Sequence, residues 1–262
     1  CGDRFLVNPT HISVGICAHN EQNNIGPLLQ NVLSQKLNED QYLSEVIVVS
    51  SGSTDHTDEI VRGYEKKDYR VRLLTEPVRN GKSRAQNLIL NNADGEMLVM
   101  LSADVAPAPN SLSRLVSRIK SYVGGADARA IVVNPLKSVT DFVSHFTWEI
   151  HNETLLDLSN SGLLGHFAGD MFAIRGGVIE SIPEDIVNDD AYIGLALTSR
   201  GWKVIHDPES IVYILGPRKA SDYIAQRERV LFGHMQLART LGRYPTTFEA
   251  LLLRDPLRAM KI

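Results

Sequence analysis

A single carboxylate, Asp104, follows the apolar run LVML (residues 98–101), and a proline comes three residues later. Ser102 stands two positions before it, so the end of one buried strand would present a hydroxyl and a carboxylate together. Other loops just beyond apolar runs carry hydroxyls, glycines and a cation. They are AHNE (residues 18–21), SSGSTD (residues 50–55) and NGKSR (residues 80–84). Such groups match the needs of a nucleoside diphosphate and a divalent cation.

The elements that would carry these loops alternate between strand and helix patterns, which is typical of βαβ units. Predicted strands occupy residues 11–18, 45–50, 71–75, 96–101, 129–135 and 202–207. Predicted helices occupy residues 58–66 and 83–92, begin after Asn110 as an N-cap, and continue from about residue 220. In open parallel sheets, ligands bind beyond the carboxyl ends of the strands. We therefore predict an α/β fold whose four loops meet in one crevice.

Charge and composition exclude several classes of protein. The 262 residues have a net charge of −4 and no basic aromatic tract, so we expect no nucleic-acid partner. No apolar run reaches about 18 residues, so we expect no membrane span within these residues, and we expect no signal peptide among them. The two cysteines lie far apart, and we expect Cys17 to be a reduced, buried thiol, which favours the cytosol. His56, His151 and His206 are expected at the surface or in loops.

Two common phosphate-binding motifs are absent. A P-loop would need a glycine five residues before Gly81, where this chain has Glu76. The turn after the first strand, HNEQNN, lacks the glycine triplet of the dinucleotide fingerprint. Lys82 alone is equally compatible with a solvated helix residue and with a ligand contact.

The sequence resembles the family 2 glycosyltransferases, inverting enzymes of the GT-A fold that use nucleotide sugars. Matching segments follow one another in the family's order, from about His11 to Gln236. They are AHNE for P-A-Y-N-E, SSGSTDHT for D-D-G-S-T-D-x-T, NGKSRAQN for the N-x-G-K-x-x-A-x-N helix, SAD for D-x-D, GDMFAIRGG for the acceptor loop, NDD for the E-D segment, and QRERV for Q-x-x-R-W. The resemblance implies a GT-A-like, Rossmann-related sheet with C-terminal helices.

The resemblance also implies a site for the nucleotide-sugar donor, a UDP- or GDP-sugar. Its residues would be Ala18, Glu21, Ser50, Ser51, Lys82, Ser102 and Asp104. Asp104 matches the second acid of D-x-D and would hold Mg²⁺ or Mn²⁺, although a turn or cap role before the prolines is the alternative. Ser102 replaces the first acid, and Ser50 and Ser51 replace aspartates that contact the base, which puts donor affinity and base choice in doubt.

On the acceptor side, Asp190 matches the second acid of the E-D pair and would be the general base. Asp189 would orient the base or the acceptor; alternatively, both acids only stabilise a helix N-terminus. Single displacement would move the sugar to a hydroxyl or lipid phosphate with inversion. The residues implied to line the acceptor and diphosphate channel are Gly169, Asp170, Arg175, Gln226 and Arg229, with Val230 in place of the motif's tryptophan.

The domain expected is one catalytic unit over residues 1–262, with a nucleotide-sugar half at about 11–105, an acceptor half at about 106–215 and a helical segment at about 219–262. Because the chain starts at Cys1 and ends at Ile262 inside an amphipathic pattern, we expect a piece of a longer protein. Transmembrane helices beyond Ile262 and a place at the cytoplasmic face of a membrane would follow, with a saccharide or lipid-linked acceptor. Residues 248–262 could lie on a membrane surface or pack on the core.

Two other functions stay open at this point. A binding module could keep the fold and lose turnover, as the serines at positions 50, 51 and 102 would allow. A nucleotidyltransferase would share a nucleotide-binding α/β sheet, and release of pyrophosphate would distinguish it.

Overall fold

The structure is a computed structural model that describes residues 9–262, and its centre is one eight-stranded sheet. The strands are β1 (Thr10–Ala18), β2 (Gln41–Ser51), β3 (Val71–Glu76), β4 (Met97–Ser102), β5 (Ala106–Pro107), β6 (Val123–Val132), β7 (Met171–Arg175) and β8 (Lys203–Ile214). The helices are α1 (Ile25–Leu33), α2 (Thr57–Glu65), α3 (Lys82–Asn92), α4 (Ser111–Ser117), α5 (Val139–Asn160), α6 (Asp189–Ser199), α7 (Ala220–Leu241), α8 (Phe248–Arg254) and α9 (Pro256–Ala259).

The strand order is β3-β2-β1-β4-β7-β6-β8-β5. Strands β1 to β4 run parallel to one another, and β6 runs parallel to β8. Strand β7 is antiparallel to both of its neighbours, β4 and β6. The carboxyl ends of β1 to β4, β6 and β8 therefore meet the amino end of β7 at one side of the sheet, which we call the carboxyl edge.

Both faces of the sheet are buried, which explains the nearly continuous apolar runs in its strands. In β4, Val99 and Leu101 lie on one face of the sheet and pack against apolar residues of α1, α2 and α4. Leu98 and Met100 lie on the other face and pack against residues of α3, α5 and α6. The predicted α/β class with a mostly parallel sheet is confirmed.

Two local predictions differ from the structure. Asn110 does precede helix α4, but its φ of 65° is left-handed and its side chain makes no capping hydrogen bond. Asparagine tolerates that conformation better than most residues, so it serves the turn and not the cap. The 22-residue helix α5 occupies a segment in which no helix was predicted.

The C-terminal helices α8 and α9 pack partly on α5. Arg258 donates a 2.6 Å hydrogen bond from Nε to Asp157 Oδ2 of α5, and Leu251 is buried. Leu253 and Leu257 remain 87% and 75% exposed, so the segment is amphipathic with one covered side. Within residues 9–262, every helix is too short or too polar to cross a membrane.

Candidate active site

The loops after β1 and β2 are fastened to each other at the carboxyl edge. The amide of Glu21 donates to Thr57 Oγ1 at 2.8 Å, and the amide of Thr54 donates to Asn20 Oδ1 at 2.8 Å. Asn20 has a φ of 56°, a left-handed conformation that asparagine accepts. These bonds hold the predicted donor residue Glu21 in a defined place beside the second loop.

The two serines predicted to contact the donor make hydrogen bonds to the loops that follow β2 and β3. Ser50 Oγ donates to Ser53 Oγ at 2.8 Å, and Ser51 Oγ accepts from the amide of Asn80 at 3.3 Å. Gly52 follows them with a φ of 62°, and a Cβ there would collide with the backbone of the loop after β3. Buried, uncharged Ser50 and Ser51 therefore brace the loop.

Asp104 lies exposed just beyond the end of β4. Its strand neighbour Ser102 pairs with Cys17 of β1, one residue before the predicted donor residue Ala18. Burial and the charge of Asp104 both raise the pKa of Glu21, although a hydrogen bond from Asn24 opposes them. Glu21 and Asp104 therefore belong to one electrostatic site.

Cys17 itself is a free cysteine among the described residues and is half-buried, where full burial was predicted. Burial raises the pKa of its thiol to about 12, so the thiol is neutral. Cys1 lies outside the described residues.

Lys82 and Gln86, one turn apart on α3, both hold the carboxylate of Asp189. Lys82 Nζ lies 3.2 Å from Asp189 Oδ2, and Gln86 Nε2 donates to the same oxygen. Burial lowers the pKa of Lys82, but the carboxylates of Asp189 and Asp190 raise it more, so Lys82 stays charged. The side chain of Lys82 is still 41% exposed and can face a ligand as well. Gln86 was not predicted, although its i, i+4 spacing from Lys82 was a usable signal.

The same face of α3 holds the segment that leads to α6. Asn87 Nδ2 donates to the carbonyl of Ile182 at 2.7 Å, and the amide of Ile182 donates back to Asn87 Oδ1 at 2.8 Å. Ser83 Oγ donates to the carbonyl of Ile186 at 2.7 Å. Helix α3 thus fixes the position from which Asp189 and Asp190 emerge.

Asp190 has one oxygen bound and one available. Its Oδ1 accepts from the amide of Ala191 at 2.6 Å, whereas Oδ2 makes no hydrogen bond to the residues that the structure describes. Gly169 has a φ of 99°, and a Cβ there would collide with Asp190 Oδ2, so only glycine fits. Burial first and the charge of Asp189 second raise the pKa of Asp190 to about 7, with Lys82 opposing them. Such a carboxylate can accept a proton near neutral pH.

Asp170 joins the two halves of the site. Its pKa is raised to about 7, mainly by burial and further by the charges of Asp104 and Asp190, while Lys82 lowers it. Asp104 and Asp190 therefore both lie within electrostatic reach of one carboxylate at the carboxyl edge. Oxygen Oδ2 of Asp170 is buried and has no hydrogen-bond partner in the described part of the chain.

The oxygen donors at this edge fit a hard divalent cation. Asp104 offers an exposed carboxylate, Asp170 an orphaned buried oxygen, and Ser102 a hydroxyl. Residues 9–262 contain no group of three or more His, Cys, Asp or Glu side chains in metal-binding proximity. One or two protein carboxylates are enough to bind Mg²⁺ or Mn²⁺, because the ion keeps several water ligands and also binds phosphate oxygens of the substrate.

Two of the residues predicted for the acceptor channel lie elsewhere along the carboxyl edge. Gln226 and Arg229 on α7 line a separate groove with Leu215 and Gly216, which follow β8. Helix α7 also reaches the segment before α6, since Asn188 Nδ2 donates to the carbonyl of Val230 at 3.0 Å.

The prediction for Arg175 is wrong. It pairs with Met97 at the start of β4, so it lies at the edge of the sheet opposite Ser102. Its guanidinium donates to the carbonyls of Val123 and Ser121 and lies over the ring of Trp202. The antiparallel direction of β7, which the sequence analysis did not predict, carries Arg175 away from the crevice.

The prediction of surface histidines holds for His56, whose side chain is 77% exposed, and is wrong for His206, while His151 is half-buried on helix α5. His206 is buried on β8, where Nδ1 lies 3.1 Å from Asp127 Oδ2. The other oxygen of Asp127 accepts from the amide of Ala168 at 2.9 Å, so the pair supports the backbone just before Gly169. Burial lowers the pKa of His151 well below its usual value.

A family model described as glycosyl transferase family 2 matches residues 13–182. Dolichyl-phosphate beta-glucosyltransferase ALG5C of Trichomonas vaginalis is 35% identical over 133 residues, which cover 49% of this chain and 39% of that protein. Glycosyltransferase AglE of Haloferax volcanii is 35% identical over 118 residues, 44% of this chain and 38% of that protein. The chain thus spans about two fifths of the length of these curated relatives.

Solved structures with the same fold support the architecture over nearly the whole chain. Mannosyltransferase PcManGT from Pyrobaculum calidifontis, in complex with GDP-Man and Mn²⁺, has a TM-score of 0.74 at 24% identity. The match covers 97% of this chain and 72% of that one. Glucosyl-3-phosphoglycerate synthase from Mycobacterium tuberculosis, with Mn²⁺, UDP and phosphoglyceric acid, has a TM-score of 0.59 at 18% identity and covers 88% of this chain and 78% of that one.

Proposed function

The chain belongs to glycosyl transferase family 2, and from this premise we propose that it is an inverting, metal-dependent glycosyltransferase. One observation carries the proposal: the Gly169–Asp170 turn lies between Asp190, whose Oδ2 abuts Gly169, and Ser102, whose amide donates to the Asp170 carbonyl two residues before Asp104. In this proposal Asp104 would hold a cation and Asp190 would accept a proton within the same crevice. That arrangement suits transfer of a sugar from a nucleotide-diphosphate sugar to an acceptor.

In the proposed reaction, Asp190 Oδ2 takes the proton of an acceptor hydroxyl as its oxygen attacks the anomeric carbon. The bond from that carbon to the diphosphate oxygen breaks, and an α-linked donor gives a β-linked product. Asp189, held by Lys82 and Gln86, keeps its neighbour in position. A divalent cation on Asp104 would offset the negative charge of the leaving diphosphate.

The donor proposed is a UDP- or GDP-sugar bound along the ends of β1 to β4. Solved relatives hold GDP-Man or UDP together with Mn²⁺, which supports both nucleotides and the cation. Residues 11–105 would form this donor half, residues 106–215 the acceptor half and residues 219–262 a helical segment. Ala18, Glu21, Lys82 and Ser102 would contact the nucleotide or diphosphate.

We propose a hydroxyl in preference to a phosphate as the acceptor group. A phosphate is already ionised at neutral pH, with a second pKa of about 6, and needs no general base. The available carboxylate oxygen of Asp190 would also repel it. A hydroxyl, in contrast, makes use of the available oxygen of Asp190. Some relatives are named for lipid phosphates, so a phosphate acceptor is the alternative to test.

We also propose that the protein works at the surface of a membrane, where a lipid-linked acceptor would lie. Phe142 and Phe146 on α5 stack with ring centroids 6.1 Å apart and are 59% and 55% exposed. Ile224 on α7 is 56% exposed. Apolar side chains on the surface of helices can enter the interface of a bilayer. The cytoplasmic face is proposed because Cys17 is a free thiol.

A donor screen tests the proposed function. The protein is incubated with common UDP- and GDP-sugars and Mn²⁺, and release of nucleoside diphosphate is measured with soluble sugars and with lipid acceptors. We expect turnover with one donor, and its loss in Asp190→Asn with a hydroxyl acceptor. An Asp190→Asn variant that equals the parent in every assay would indicate a binding module. Pyrophosphate release from a nucleoside triphosphate would indicate a nucleotidyltransferase.

A further inference from the structure

Ser102 and Asp170 face each other across neighbouring strands. Strands β4 and β7 pair antiparallel, with Leu101 opposite Met171, so the next pair outward is Ser102 with Asp170. The amide of Ser102 donates to the carbonyl of Asp170 at 3.1 Å, which extends the ladder by this pair. Directly opposite residues in such a ladder point to the same face, with Cβ atoms about 5 Å apart.

This register bears on a gap in the sequence. The resemblance places a carboxylate at the position of Ser102, and this chain has only a hydroxyl there. The side chain next to that gap, on the adjacent strand, is the carboxylate of Asp170. A carboxylate reaching from β7 can therefore enter nearly the same space as one from β4.

The second observation is the state of that carboxylate. Oxygen Oδ2 of Asp170 is buried and without a hydrogen-bond partner among residues 9–262. A buried, unsatisfied oxygen costs free energy and calls for an explanation, such as a missing ion. Asp104, Asp127 and Asp190 are the acids that act on it, and Lys82 is the cation. Since Lys82 is already engaged with Asp189, a further cation has a place here.

We infer that Asp170 supplies, from the neighbouring strand, the metal-binding carboxylate that is missing at Ser102. The inference rests on the proposed function, because it assigns a ligand for the same divalent cation. Asp104 and Asp170 would bind Mn²⁺ or Mg²⁺ from two strands, and diphosphate oxygens and water would complete the shell. The sequence predicted Asp170 as a residue that lines the acceptor channel. This inference assigns it as a metal ligand.

The test measures Mn²⁺ binding without turnover. Free Mn²⁺ gives an electron paramagnetic resonance signal that disappears on binding, and it is titrated with the protein alone and with UDP or GDP. The variants are Asp170→Asn, Asp104→Asn, Asp40→Asn as an exposed control far from the site, and the double variant Ser102→Asp/Asp170→Asn. Circular dichroism melting checks that each variant folds.

We expect Asp170→Asn and Asp104→Asn each to weaken Mn²⁺ binding by about tenfold or more, and Asp40→Asn to leave it unchanged. Ser102→Asp should restore most of the affinity in the Asp170→Asn background, since the carboxylate returns on the other strand. If Asp170→Asn does not fold, the exchange variant Ser102→Asp/Asp170→Ser makes the same comparison.

Other results would overturn the inference. Undiminished Mn²⁺ binding by Asp170→Asn, with loss in Asp104→Asn, would leave the proposed function intact and remove Asp170 from the metal site. Failure of Ser102→Asp to rescue a folded Asp170→Asn would reject the exchange of positions. If the parent itself binds no Mn²⁺ with either nucleotide, the metal dependence in the proposed function fails along with the inference.

Discussion

At the scale of single residues, two adjacent aspartates have different surroundings and therefore different chemistry. Asp189 is bound by Lys82 and Gln86, whereas Asp190 keeps one oxygen without a partner among the described residues. Environments that separate the pKa values of neighbouring acids are a recurrent basis for dividing catalytic roles. The sequence indicated the pair, but only the structure shows which member is held.

The first prediction concerns Asp190→Asn. An amide cannot accept the proton of the acceptor, so kcat should fall by about 10²- to 10⁴-fold with a hydroxyl acceptor, the usual contribution of a general base. Steady-state kinetics measure it, with Asp40→Asn as the matched control at the opposite edge of the sheet. Equal losses in both variants would contradict the assignment.

The second prediction concerns pH. Asp190 must be ionised to act, and its pKa is raised to about 7, so kcat/KM should fall as the pH drops through about 7. Lys82 lowers this pKa; Lys82→Met should therefore move the acid limb to higher pH, and Lys82→Arg should leave it in place. A pH–rate profile of kcat/KM measures both. A limb that stays in the same place in Lys82→Met would contradict the coupling.

At the scale of elements, helix α3 connects the loops of the proposed donor site with the segment that carries Asp190. Its first residue, Lys82, reaches Asp189, and Asn87 binds both backbone groups of Ile182. One rigid helix thus sets the distance between the two halves of the crevice. The NGKSRAQN segment could be recognised from sequence. The contacts of Lys82 with Asp189 and of Asn87 with Ile182, which we call the clasp, could not be recognised, because the partners lie about 100 residues away.

The third prediction tests that clasp. Asn87→Ala removes two hydrogen bonds and leaves the amide and carbonyl of Ile182 without partners, which should cost about 1–3 kcal/mol of unfolding free energy. Activity should also fall, since the segment before Asp190 is released. Urea denaturation and kinetics measure the two effects. Asn91→Ala, at an exposed position of the same helix, is the control, and equal destabilisation by both would refute the clasp.

Helix α5 has a start signal that can be recognised in the sequence. Ser138 Oγ accepts from the amide of Asp141, and its hydroxyl donates to the Asp141 carboxylate, a capping arrangement with Ser-x-x-Asp spacing. The Ser-x-x-Asp spacing is visible in the sequence, but the helix was not predicted, because the apolar residues that follow do not form one helical face. Arg175 was misplaced for a different reason: short β7 gives no sign of its direction.

At the scale of the whole molecule, the alternating pattern predicted the α/β class and the convergence of loops at the carboxyl edge. The sequence could not give the insertion of antiparallel β7 between β4 and β6, since strand order depends on long-range pairing. That insertion brings Asp170 to the edge, next to Ser102. It also explains why Gly169 and Asp170 lie at the carboxyl edge while Arg175 lies at the opposite edge.

The fourth prediction concerns the surface of the molecule. Phe142→Ser/Phe146→Ser should reduce binding to anionic lipid vesicles, because the stacked rings no longer enter the interface. Flotation with vesicles measures it, and Tyr122→Ser, 79% exposed before β6, serves as the control. If all three proteins fail to float, or all float equally, these rings do not dock on a membrane.

The central claim is that the carboxyl edge binds a nucleoside diphosphate through a cation on Asp104. Isothermal titration of UDP and of GDP, with and without Mn²⁺, tests it most directly. We expect one nucleotide to bind measurably in the presence of Mn²⁺, and binding to be lost without the metal and in Asp104→Asn. Absence of heat for both nucleotides at millimolar concentration with Mn²⁺ would contradict the claim.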